Sequence, residues 1–128
     1  MRCELRSAEE TLFDGEVTMV VAHSPLGEFG ILPRHAPLLA ALDAGPLRIE
    51  TPQGERVFVL RSGLLRVQAD RVSILAEGAV RAEAIDLAAV RARREALQAE
   101  RSTGRGAEIP SDLAYLRAQE KAGAQLGS

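Results

Sequence analysis

The sequence predicts a mainly β protein with an α-helical tail: an N-terminal antiparallel β-sandwich over residues 1–84 and a C-terminal antiparallel two-helix hairpin over residues 85–128. Three observations carry this reading. Before residue 84, short apolar and β-branched segments alternate with turn residues, the rhythm of a sandwich or flattened barrel. Between Gly78 and Gly104 there is neither Gly nor Pro. Beyond that, two stretches rich in Ala, Arg, Glu and Leu flank the breaker Ser102-Thr103-Gly104-Arg105-Gly106.

The elements follow in order. Glu16 to Ala22 holds Val17, Thr18, Val20 and Val21, side chains that suit a pleated surface. Leu47-Arg48-Ile49-Glu50-Thr51 alternates, turns at Pro52-Gln53-Gly54, and returns as Arg56-Val57-Phe58-Val59-Leu60, a hairpin. A second hairpin runs from Leu64-Leu65-Arg66-Val67-Gln68 through Ala69-Asp70 to Arg71-Val72-Ser73-Ile74-Leu75. Asp86 can cap a first helix from Leu87 to Arg101. Pro110 and Ser111 open a second, roughly Asp112 to Leu126, which Gly127 closes. Ala88, Ala92, Ala96 and Ala99 recur at helical spacing on the first helix, and Ala114, Ala118 and Ala122 on the second. Such a seam allows close approach but buries little, at about 0.8 kcal/mol per CH₂. The hairpin is therefore expected to be folded but detachable.

Length and composition fit a compact domain with a small appendage: 128 residues, 46% hydrophobic, 27% charged, net charge −2. Cys3 is the only cysteine, so no internal disulfide forms, and a reducing compartment is expected. No apolar run is long enough to span a bilayer, and Met1-Arg2-Cys3-Glu4-Leu5-Arg6 is too charged for a signal peptide. Direct membrane insertion is not expected. Acidic balance and few aromatics (Phe13, Phe29, Phe58, Tyr115) also disfavour nucleic acid. Charge divides unevenly, with nine basic against twelve acidic groups up to residue 84 and seven against six after it.

Chemistry-bearing patterns are absent. His23 and His35 lack partners at metal-ligand spacing, so no metal is expected. Ser24 beside His23 has no G-x-S-x-G turn and no orienting acid. Gly27-x-x-Gly30 lacks the lysine of a phosphate cradle, and the adjacent Glu9 and Glu10 point apart. No catalytic residue is assigned, no cofactor is expected, and the chain is not read as an enzyme. A ligand-binding sandwich with a helical lid is the alternative, but it would need convergent polar residues that the sequence does not offer.

One segment is unusual: Ser24-Pro25-Leu26-Gly27-Glu28-Phe29-Gly30-Ile31-Leu32-Pro33-Arg34-His35-Ala36-Pro37-Leu38-Leu39. Prolines and glycines fix its backbone, and it is too apolar for an ordinary solvated loop. Ile31 and Leu38 suit a core plug. Glu28, Arg34 and His35 instead suggest an exposed polar rim around an apolar tip that includes Phe29.

From Gly27 to Leu39 this segment closely resembles the signature loop of the epsilon subunit of bacterial F-type ATP synthases, Gly-Glu-aliphatic-Gly-Ile-x-Pro-Gly-His-Ala-Pro-Leu-Leu. Phe13-Asp14-Gly15-Glu16-Val17, Leu60-Arg61-Ser62-Gly63-Leu64-Leu65-Arg66-Val67, Val72-Ser73-Ile74-Leu75-Ala76-Glu77 and Ala84-Ile85-Asp86 match as well, so the likeness spans essentially the whole chain. Phe29 replaces a smaller aliphatic, and Arg34 replaces a glycine that often marks φ > 0.

The resemblance implies a ten-stranded sandwich in the central stalk. Its partners would be the gamma subunit and the membrane ring of proteolipid subunits, met through Glu28, Phe29, Gly30, Leu32, Arg34, His35 and Pro37. It implies a peripheral protein on the cytoplasmic face of the bacterial cell membrane. The hairpin would inhibit ATP hydrolysis when extended along gamma into the alpha/beta catalytic hexamer, with Arg94, Arg101, Arg117 and Lys121 meeting an acidic stretch of beta. Many bacterial members also bind ATP through Ile/Leu-Asp-x-x-Arg-Ala. Here Ile85 and Asp86 are kept, but Ala89 and Val90 stand where the arginine and alanine belong. Arg91 lies about 200° further round the helix.

Overall fold

A computed structural model of the chain describes residues 1–102 and 109–126, with side chains for 1–99 and 113–124. Eight strands come first: β1 (Arg2–Arg6), β2 (Thr11–Glu16), β3 (Met19–Ser24), β4 (Gly27–Ile31), β5 (Leu38–Leu42), β6 (Gly45–Thr51), β7 (Gly54–Gln68) and β8 (Arg71–Arg81). A 3₁₀ turn over Ala82–Ala84 leads to α1 (Leu87–Ser102) and α2 (Ile109–Leu126). The strands are ordered β2-β1-β8-β7-β6-β3-β4, with β5 on the second half of β7. The sheet closes over one core drawn from β1, β3, β4, β5, β6, β7 and β8, including Leu5, Val20, Ile31, Leu42, Ile49, Leu65 and Ile74.

Three expectations change. The sheet has eight strands, not clearly ten, because two long strands each run through the corner: Arg56–Leu60 and Leu64–Gln68 lie on one strand, β7, and β8 continues unbroken from Arg71 to Arg81. Gly63 does not turn the chain there. A Cβ on it would sit 3.0 Å from the Leu75 carbonyl oxygen, so glycine permits close strand approach. The sheet is also not wholly antiparallel, since β1 pairs with β8 in parallel. Finally, Glu16–Ala22 is not one strand but the end of β2, a break at Val17–Thr18 and the start of β3.

The corner in β7 and β8 explains why simple alternation fails. Phe58 and Leu60 face the core in the first half of β7, whereas Leu65 and Val67 do so in the second. On β8 the core positions Val72, Ile74 and Ala76 give way to Ala79. Parity changes on both strands where the ladder skips the Arg61–Gly78 pair, and Gly78 takes φ +73° there. The two predicted turns hold. Thr51 Oγ1 accepts from Gln53 N–H and donates to Gly54 O across Pro52–Gln53. Ala69 and Asp70 both adopt positive φ, as a two-residue hairpin turn of type I′ demands.

Asp86 caps α1 as expected, its Oδ1 accepting from Ala89 N–H at 3.2 Å. The alanine seam is not what forms. Ala88, Ala92, Ala96 and Ala99 are exposed, and α1 instead turns Leu87, Val90, Arg94 and Leu97 inward. Leu97 packs with Leu113 and Leu116 of α2, each leucine burying far more apolar area than an alanine could.

Candidate functional site: a leucine face and a docked hairpin

The unusual segment is divided by the structure. Gly27–Ile31 is strand β4, so its side chains alternate. Phe29 turns inward and packs on the core, and it does not form the tip. Ile31 is fully buried and Leu38 half-buried against the same core. Glu28 points outward and bonds Arg48 of β6 at 2.6 Å, reaching past β3. Gly30 is exposed on β4.

The exposed tip is Leu32-Pro33-Arg34, with half-buried His35 beside it and exposed Pro37 beyond. His35 N–H donates to Leu32 O, closing a four-residue turn with Pro33 second and Arg34 third. Arg34 has φ +64°, so the left-handed backbone that suits glycine persists with an arginine in place. Asp70 holds it: its carboxylate accepts from Arg34 N–H at 2.8 Å. That backbone hydrogen bond, more than the nearby charges, keeps the Asp70 carboxyl below its usual range.

Sequence reasoning missed the neighbouring face. Leu39 of β5, Leu64 of β7 and Leu75 of β8 are exposed large hydrophobics, and Leu64 pairs directly with Leu75. They line an open groove of roughly 940 Å³ together with Arg6, Ser7, Pro37 and Arg66. The signal was present as apolar doublets: Leu38-Leu39, Leu64-Leu65 and Ile74-Leu75. In a strand one member of each doublet must face out. Leu65 and Ile74 go into the core, and their neighbours make a surface of the kind that marks interaction sites.

The hairpin lies elsewhere, with α2 against β6, the 3₁₀ turn and β7. Val59 is fully buried yet outside the sandwich core, and Tyr115 of α2 packs 3.7 Å from where a Cβ on Gly78 would stand. A cleft between α2 and the strands is lined by His23, Glu28, Arg48, Arg117 and Lys121. Arg117 and Lys121 are exposed on α2. Arg94 is half-buried and tied to Glu120, while Arg101 lies outside the described side chains. Ile85 packs against Gly123, where a Cβ would meet its Cγ2 at 3.1 Å, and Asp86 serves the helix cap. Burial pushes the Cys3 thiol up to about 12, so it is no nucleophile. Among the described residues no cluster of His, Cys, Asp and Glu suits a metal.

An outward leucine groove over β5, the second half of β7 and β8, and a helical hairpin laid on β6 and the first half of β7, define a β-sandwich with a C-terminal helical hairpin. Residues 1–82 match the model of the ATP synthase delta/epsilon chain, beta-sandwich domain. Over 96 residues the chain is 47% identical to the ATP synthase epsilon chain of Stenotrophomonas maltophilia, covering 74% of this chain and 69% of that one. It is 48% identical over 96 residues, with the same coverage, to the ATP synthase epsilon chain of Xylella fastidiosa. The chain belongs to the ATP synthase delta/epsilon family. Its fold resembles a chain in the Euglena gracilis mitochondrial ATP synthase, at TM-score 0.84, 24% identity, 94% of this chain and 79% of that one. A chain of the Tetrahymena thermophila mitochondrial central stalk and c-ring gives TM-score 0.58 at 20% identity, covering 95% of each. Among the described residues, no helix is long and apolar enough to cross a membrane.

Proposed function

We propose that this chain is the epsilon subunit of a proton-translocating F-type ATP synthase, a rotor component of the central stalk. It performs no bond-making of its own. It couples proton flow to ATP synthesis by holding rotor parts together, and its hairpin restrains ATP hydrolysis. Residues 1–84 are the binding unit and residues 85–128 the regulatory one. The single observation that carries the reading is the Leu39–Leu64–Leu75 groove, an apolar surface left open on the second half of β7 while α2 lies over the first half of that strand and over β6.

On this reading the gamma subunit covers the leucine groove. The adjoining tip, Leu32, Arg34, His35 and Pro37, meets the proteolipid ring, at the cytoplasmic face of the bacterial membrane. Glu28 belongs to both regions, since it sits on the strand leading to the tip and lines the cleft beneath α2. In the docked hairpin Arg117 and Lys121 are exposed, and the extended hairpin would carry them, Arg94 and Arg101 to an acidic surface of the catalytic hexamer. The Ile85-Asp86 remnant, with Ala89 in place of the arginine, supports weak or no ATP binding. A helical lid over a small ligand fits less well, because the apolar groove lies away from the helices.

The test is co-purification. Leu64→Asp should leave a folded chain that no longer comes down with gamma from detergent-solubilised membranes. Retention at the wild-type level would defeat the assignment of this groove. Deletion from Asp86 onward should leave gamma binding intact and raise ATP hydrolysis by the complex.

A further inference from the structure

The docked hairpin buries the wrong charges for a surface awaiting an acidic partner. Arg94 sits on the inner face of α1, and its Nε donates to Glu120 Oε2 at 2.6 Å. Arg91, three residues earlier on the same face, donates from Nε to Glu120 Oε1 at 3.2 Å. Each carboxylate oxygen thus takes one guanidinium. Arg94 also donates through Nη1 to Gln98 at 3.2 Å. The Arg94 and Glu120 side chains are only 23% exposed, so theirs is not a loose surface pair, while Arg91 joins it from the more exposed edge at 51%.

We infer that Glu120 is an internal stand-in for an acidic partner: while α1 and α2 are paired, its carboxylate fills the two-guanidinium site formed by Arg91 and Arg94, and that site becomes available only when the helices part. This rests on the reading of the hairpin as regulatory, and it adds the residue that sets the threshold. Arg91 and Arg94 make a carboxylate-binding fork, since two guanidinium groups three residues apart converge on one acid. An external carboxylate must therefore displace Glu120 before it can bind. The same contact does two things at once. It ties α1 to α2, and it silences the charge the extended hairpin would use. A stronger internal pair makes a quieter brake.

Among the described residues the buried apolar cluster of the hairpin is Leu97 with Leu113, backed by Leu116, and the two ion pairs add a polar tie between the same helices. Among the described residues, the other charges in this pocket do not replace Glu120. Arg117 and Lys121, which share its surface pocket with Arg91 and Arg94, are basic and add to the positive field that the carboxylate offsets.

The experiment uses the purified full-length chain and a fluorescent hexaglutamate peptide, followed by anisotropy at low salt. Glu120→Gln keeps the shape and removes the charge. It should bind the peptide about tenfold more tightly than wild type, the equivalent of losing one charge-assisted competitor. Arg94→Gln introduced into that variant should abolish the gain. Spin labels at Arg93 and Ala124 report the helix pair, and the variant should show a broader, longer distance distribution. Equal or weaker peptide binding by Glu120→Gln overturns the inference, as does a gain that survives loss of Arg94. Should Glu120→Gln lose helicity altogether, the exchange Arg94→Glu with Glu120→Arg decides instead. It should restore the wild-type distance while binding the peptide no better than wild type. A longer distance or tighter binding there counts against the stand-in. These readouts do not involve hydrolysis. If they come out as expected but deletion from Asp86 onward leaves hydrolysis unchanged, the brake reading fails and the internal occupant stands.

Discussion

The sandwich and the hairpin are built to different standards of permanence. The sandwich gathers most of its buried side chains, from Cys3 to Ala76, into one continuous core tied by long ladders, β7 with β8 above all. Among its described residues the hairpin has Leu97, Leu113 and Leu116, two arginines on one glutamate, and one layer of α2 against β6 and β7. One region loses nearly everything if a strand leaves. The other can part from its support and remain helical, because helix hydrogen bonds close within the segment. On the proposed reading, a rotor piece that must stay attached and a brake that must move call for these two kinds of packing.

The comparison breaks most visibly if the core is cut. Leu65 is fully buried in the sandwich, and Leu65→Ala should cost about 3 kcal/mol of its unfolding free energy in urea. Leu97→Ala in the hairpin removes the same atoms, at a cost of about 2 kcal/mol in helix pairing. It should lower the far-ultraviolet melting point of the helices and leave the sandwich midpoint unmoved. A shared drop in both midpoints would make the molecule one cooperative unit and erase the distinction drawn above.

Smaller changes sharpen the contrast. Asp86→Ala removes the cap of α1 and should cost about 1 kcal/mol, read as lost helicity with the sandwich intact. Arg34→Gly tests the sandwich tip. A non-glycine residue at φ +64° carries backbone strain, while glycine raises the entropy of the unfolded chain, and the balance favours glycine by about 0.5 kcal/mol. A slightly raised melting temperature is the expected result. A lowered one would show that the arginine side chain compensates for its own backbone.

What could be read from the chain differs between the regions too. The change from strand to helix near residue 84, the turns at Pro52–Gln53 and Ala69–Asp70, and the cap at Asp86 were legible, because each depends on residues adjacent in sequence. The strand merger at Gly63 was not. Glycine signals a turn by propensity, whereas here it answers to the Leu75 carbonyl on another strand. Phe29 was misplaced because Gly27 and Gly30 disguised a period-2 strand as a loop. The alanine stripe misled for a related reason. Alanine reports helix propensity, and only tertiary packing chooses the Val90–Leu97 face. At the candidate site, the rim at Arg34 and His35 was visible, but the leucine groove needed the register that sets Leu64 opposite Leu75.

The finest separation of the two regions is in acid. Hydrogen bonds from Arg94 and then Arg91 hold the Glu120 carboxyl below its ordinary value of 4.5. Opening the hairpin lets it return toward that value, so the open form binds more protons. Closure is therefore fully supported above about pH 4.5 and loses this support as pH falls through the lower, closed-state value. Asp70 follows the same sign in the sandwich, where the Arg34 N–H is the main cause. Acid should thus soften both regions, and only substitution can tell them apart. In Glu120→Gln the α1–α2 spin-label distance should lose its dependence on pH between 6 and 3, while the sandwich retains the acid response of Asp70. Asp70→Asn should do the reverse. If the helix distance in Glu120→Gln still lengthens in acid as in wild type, Glu120 is not the group that couples hairpin closure to protons, and the two regions are softened by one common cause.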